Sequence, residues 1–163
     1  MSKRLIATLV CSALSLVAVS GIACSEPVGR YDCNVIGTAL PEPIGDRTGH
    51  GLISLQYSCI GVEGLLKGAV VTAVTVSEWD GPKGTYLSSV GVHRVPGGLA
   101  VGQLTEGIGS VVMKDGKPVG TEASGKTIFK FASGALAALS GKTVKFASKS
   151  TGSNRFELEF TQE

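Results

Sequence analysis

Several kinds of residue are scarce in this 163-residue chain. It has two histidines and one tryptophan, aromatics are 6% of it, and charged residues are 17%, below the quarter usual in soluble domains. His50 and His93 stand at no metal spacing such as H-x-x-x-H or H-E-x-x-H, so no metal site is expected. No serine sits in a G-x-S-x-G elbow, which removes the commonest signature of a hydrolase nucleophile. Helical periodicity is also lacking. One short segment, GALAALSG at 134–141, has helical character; it is too short to stand alone and reads as a single turn capping one end of the fold.

The N-terminal segment, by contrast, is rich in apolar residues. MSKR carries two positive charges and leads into an apolar run from Leu5 to Cys24, with Gly21-Ile22-Ala23 before that cysteine. A charged start, a short apolar core and small residues at the end are the parts of an export signal, and no second run of membrane-spanning length follows. The expected organisation is a signal peptide over 1–23 and a single domain over 24–163, exported to the periplasm. Two readings of the cleavage site stay open. GIAC resembles a lipobox with Gly21 in place of the usual leucine, which would make Cys24 a lipidated N-terminus and the protein an outer-membrane-tethered lipoprotein. Ordinary cleavage after Ala23 satisfies the small-x-small rule equally.

Removing Lys3 and Arg4 with the signal leaves equal numbers of basic and acidic residues. A formally neutral chain gives no electrostatic reason to expect nucleic acid, or any membrane contact beyond a lipid anchor. The late lysines Lys126, Lys130, Lys142, Lys145 and Lys149 alternate with apolar residues, as on a solvated sheet face. Of the four cysteines, Cys11 lies in the signal and Cys24 at its end. Cys33 and Cys59 remain, and in an oxidising compartment they are expected to close a disulfide.

From residue 30 onward the apolar period is two. Ile53, Leu55, Tyr57 and Cys59 share one face, and Phe156, Leu158 and Phe160 another. YDC (31–33) and YSC (57–59) each put a cysteine and a tyrosine on the same, inward side. Strands are expected near 69–78, 85–94, 99–105, 108–114, 117–123, 127–132 and 142–149, with turn residues between them. The proline-bearing stretch 39–49 reads as a loop. About eight or more short strands with interior glycines (Gly91, Gly102, Gly109) indicate a single antiparallel β-barrel, with a β-sandwich as the alternative.

GTEASGKT (120–127) fits the phosphate-binding pattern G-x-x-x-x-G-K-[ST], but that loop needs a helix after it. Here IFKFASG follows, with Phe129 and Phe131 alternating against Ile128 and Lys130 as in a strand. A second SGKT at 140–143 also leads into a strand. Both read as hairpin turns, Lys126 is expected to face solvent, and no nucleotide or other cofactor is expected. His50, in TGHG, reads as an exposed loop residue. A candidate pocket or rim combines Tyr57 with the strand-end groups Glu78, Trp79, His93 and Arg94.

The run from 106 to 146, with IFKFASGALAALSGKTVKF at its centre, resembles small bacterial exported proteins whose barrel is similar to that of plant allene oxide cyclase and the dirigent proteins. In those a T-x-x-F strand is followed by a glycine-bearing segment and another strand. The resemblance implies an eight-stranded, calycin-like barrel; the cyclase's catalytic residues find no counterparts here. The leading expectation is a non-enzymatic barrel that binds a small apolar ligand or an envelope protein. A cofactor-free cyclase or isomerase using Glu78, His93, Arg94 or Tyr57 is the alternative. A further one is an inhibitor of an envelope-directed hydrolase, since YDC and a single disulfide resemble lysozyme inhibitors, although their Ser-Gly-x-x-Tyr loop is missing. The oligomeric state is not legible in the sequence.

Overall fold

The computed structural model describes residues 27–37 and 39–163; the signal segment, its cleavage site and Cys24 lie outside them. Nine strands follow one another: β1 (Pro27–Ile36), β2 (Glu42–Pro43), β3 (His50–Gly64), β4 (Val70–Asp80), β5 (Lys83–Val95), β6 (Gly98–Lys114), β7 (Lys117–Gly134), β8 (Thr143–Gly152) and β9 (Arg155–Gln162). All pairings are antiparallel. From β3 to β9 each strand pairs with the next, and β1 joins β9 on one side to β3 on the other. The result is a closed eight-stranded up-and-down barrel in which ring order follows chain order. β2 stands outside the ring and pairs with β3 through Glu42↔Leu52 and Pro43↔Gly51. Its Pro43, with Pro41 just before it, fits that edge position.

Closure depends on the β1–β3 seam. Cys33 and Cys59 are directly opposed there, with Cα atoms 4.0 Å apart, and a disulfide joins them. Both are buried beside Tyr31. The inward faces read from the period of two are those observed: Ile53, Leu55, Tyr57 and Cys59 on β3, and Phe156, Leu158 and Phe160 on β9, all point into the barrel.

Two elements differ from the sequence expectation. β6 and β7 are long, continuous strands of 17 and 18 residues, where the sequence reads as four short ones. The apparent breaks fall at Gly107 and Gly125, which are ladder partners. A Cβ at Gly125 would lie 2.1 Å from the Glu106 carbonyl oxygen and 2.6 Å from Gly107 Cα. These glycines let two backbones press together at a bend, helped by a register shift between Leu104 and Glu106. GTEASGKT is therefore the interior of β7 and not a hairpin turn; the second SGKT does lie in the connection to β8. Lys126 sits on the outer surface, paired with Glu163 at 2.8 Å and Glu106 at 3.4 Å. The second difference is Phe131. A bulge sets Val101 against Phe131 and Gly102 against Phe129, so Lys130 is the extra residue. Phe129 points inward and is fully buried, while Phe131 points outward and is 68% exposed.

One end of the barrel is sealed. The β3–β4 connection turns inward and buries Leu66, held by Leu66 N–H to the Val28 carbonyl (3.3 Å) and Gly68 N–H to the Gly61 carbonyl (2.8 Å). The β7–β8 connection makes a single 3-10 turn, Ala137–Leu139, and buries Leu136 and Leu139. Beneath these plugs Tyr31, His93, Phe129 and Phe160 pack edge to face.

Candidate functional site

The other half of the barrel is hollow. Strand direction puts the β4–β5, β6–β7 and β8–β9 turns at this end, together with the segment between β1 and β3. The cavity measures about 270 Å³. Its wall is built by inward positions of successive strands, among them Leu55, Tyr57, Trp79, Tyr86, Leu104 and Phe146. Phe160 is shared with the sealed core, and Ala39, Asn154 and Arg155 stand at the mouth. A shallower hollow lies beneath the segment carrying β2. Pro41, Pro43 and Arg47 line it, and it meets the inner cavity at Ile53, Trp79 and Thr121.

Trp79 lies on the wall because its neighbours have no side chains. A Cβ at Gly84 would come within 2.6 Å of the indole, and one at Gly109 within 3.1 Å. Gly84 is the ladder partner of both Trp79 and Gly109, so the ring covers a bare strip of sheet, as aromatics do over strand glycines. Its Nε1–H donates to Ser77 Oγ at 2.9 Å. Tyr57 packs edge to face on Phe156, with centroids 5.2 Å apart. Thr75 and Ser89 line the same space, their hydroxyl oxygens 2.8 Å apart. Burial raises the Tyr57 phenol and pushes that of Tyr86 up to about 12, so both are neutral donors at physiological pH. Among the described residues the lining carries one formal charge, Arg155 at the mouth, and no carboxylate that could act as base or nucleophile.

The candidate rim residues are dispersed. Tyr57 and Trp79 line the cavity; Glu78, His93 and Arg94 do not. Glu78 alternates with Trp79 along β4 and therefore points outward, as Arg94 does beside His93 on β5. His93 points inward but at the sealed end, because β5 runs from the mouth at Lys83 toward the plugs at Val95. It is 3% exposed, hydrogen-bonded through Nδ1 to the Tyr31 hydroxyl at 2.7 Å. Burial lowers its pKa to about 4, so the ring is neutral.

His50 differs from the sequence expectation too. It opens β3, is 8% exposed, and places Nδ1 2.6 Å from Asp46 Oδ1 and Nε2 2.6 Å from Glu78 Oε1. Two carboxylates accept from both ring nitrogens, which requires the imidazolium. The Asp46 bond, then the Glu78 bond, raise the His50 pKa above its ordinary value, and Asp46 is lowered in turn. Arg47 extends the network, with Nη2 to Asp80 Oδ2 at 2.8 Å and Nη1 to Asp46 Oδ2 at 2.7 Å. The network ties the segment over the mouth to β4. Glu78 lies 28 residues beyond His50, and no local spacing signals a contact made across a strand pair.

Among the described residues, no group of three or more His, Cys, Asp or Glu is placed to hold a metal ion. What the geometry offers is an aromatic, hydroxyl-bearing, nearly charge-free chamber open at one end, and this description rests on the chain's own structure, since no protein-family model, curated protein or solved structure matches it.

Proposed function

We propose that this is an exported binding protein that takes a small, largely apolar, uncharged ligand into the open half of its barrel. The observation that carries the reading is the division of the interior: side chains fill one half, and an apolar space of about 270 Å³ with a hydroxyl cluster occupies the other. Concave, mostly apolar spaces with a few convergent polar groups are the usual form of small-molecule sites. The cyclase or isomerase alternative is less well supported, because of its four residues only Tyr57 faces the cavity. The disulfide favours an oxidising compartment, which supports export. Lipidation of Cys24 and kinship with allene oxide cyclase-like barrels remain part of the same proposal.

Trp79, the single tryptophan, lines the cavity and reports on its contents. Titration with the neutral probe N-phenyl-1-naphthylamine is expected to change Trp79 emission saturably at one site per chain, and Leu104→Trp, which fills the space, is expected to abolish uptake. Unsaturable or absent uptake by the wild-type protein would sink the proposal.

A further inference from the structure

The outer surface of the barrel is divided as sharply as its interior. On β8, β9 and β1 the outward side chains are charged: Arg30 pairs with Glu63 at 3.0 Å and with Glu157 at 3.6 Å, and Lys149 stands opposite Glu157 and Glu122. On the opposite side, outward positions of β3, β4 and β5 carry no formal charge between the Glu78 row and the Arg94 row, and β6 carries none from Leu99 to Gln103, beyond which Glu106 pairs with Lys126. β4 presents Val70, Thr72, Val74 and Val76 in succession, and Ser and Gln occupy the adjoining places on β3, β5 and β6.

Aliphatic groups are exposed across this face. Ile60 is 60% exposed, Val70 53%, Val90 47% and Val74 44%. They are neighbours and not scattered: Ile60 opposes Val70, Val74 opposes Val90, and Val92 opposes Val101, which opposes the outward Phe131. Ile60, Val70, Val74 and Val90 on the adjoining strands β3, β4 and β5 make a patch about 10 Å across at the usual ladder spacing, and Val101 and Phe131 continue it around the ring. A continuous apolar area of that kind on a soluble surface marks a contact site.

We propose that this face binds a second copy of the same chain. The argument is charge complementarity. A face without charge meets its own copy without like-charge repulsion, whereas a charged partner would leave its charges unpaired against it. Anionic lipid is disfavoured, since a lipid-binding face gathers lysine, arginine and interfacial aromatics, and here Arg94 and Lys130 stand only at the margins. Rows of β-branched side chains suit sheet-on-sheet packing, and depletion of charge is the mark of an interface centre. A two-fold axis lying across the strands at the Val74–Val90 pair makes the contact isologous. It also brings Arg94 of one copy beside the Thr85–Glu78 row of the other, so the marginal charges meet with opposite sign.

The test is sedimentation velocity of the purified protein over a wide concentration range, with Val74→Lys, Val90→Lys and, on the charged side, Lys149→Ala. Wild type and K149A are expected to reach a dimer. V74K and V90K, with unchanged circular dichroism, are expected to raise the dissociation constant by about a hundredfold or more, because each buries an unpaired charge. A wild type that stays monomeric overturns the proposal, as does an association that survives both lysine variants, which would belong to another surface. Flotation of the wild type, but not V74K, with phosphatidylcholine vesicles would reassign the face to lipid and overturn it as well.

Discussion

The two histidines oppose each other in pH response. His93 is neutral in the fold, with a pKa near 4 against an ordinary 6.5, so the unfolded chain takes up a proton that the folded one refuses. Its effect is absent above pH 6.5, and stability falls as pH drops from there toward 4, by up to about 3 kcal/mol. His50 is raised by Asp46 and Glu78, so its contribution is present below 6.5 and lost as pH rises through its folded value. Urea midpoints measured across pH should peak near neutrality; His93→Gln should flatten the acid side, and His50→Gln the alkaline side. Tyr31→Phe removes the hydrogen bond to His93 and should cost about 1–3 kcal/mol in the same assay, since it leaves a buried ring nitrogen unpaired. None of these roles was legible locally. Tyr31 and His93 are 62 residues apart, and a histidine before a proline at a strand end does not reveal which end of a barrel it occupies. The inward direction of Tyr57 and Cys59, by contrast, followed from period two alone.

Strands were legible where alternation was unbroken, as in β3, β4 and β9, and misread where a bulge or an interior glycine interrupted it. Gly107 and Gly125 looked like turns because a turn and a close backbone approach both require the absence of a side chain. Phe131 was placed on the wrong face because one bulge residue, Lys130, reverses every side chain beyond it. The seam between β1 and β3 is the element on which closure depends. Replacing Cys33 and Cys59 together with alanine should lower stability by about 3 to 4 kcal/mol, the loop-closure value for a separation of 26 residues, in denaturant unfolding. Amide exchange should rise first along β1 and β3. Gly84→Val should drive Trp79 off its bare strip, costing about 1–3 kcal/mol as overpacking does. Its tryptophan emission and its capacity for the naphthylamine probe should change together.

For the whole molecule, the two halves of the interior divide stability from binding. Leu66 and Leu136 are fully or almost fully buried at the sealed end, so Leu66→Ala should cost about 2–5 kcal/mol while leaving probe affinity nearly unchanged. Leu104→Trp should do the reverse. The barrel itself followed from strand number, turn chemistry and glycine content. The GALAALSG segment was legible as a single turn at one barrel end, which it is; the half-filled interior was not, because the inward turn of the β3–β4 connection at Leu66 is set by packing and not by pattern.

The placement of the plugs also orients the molecule. Pro27 pairs with Thr161, at the end sealed by Leu66 and Leu136, so the chain enters the barrel on the side away from the mouth. Cys24 stands three residues earlier in the sequence. A lipid on that cysteine would hold the barrel against the bilayer by its closed base, with the mouth directed outward, and its cargo would then arrive from the aqueous phase rather than from the lipid beneath.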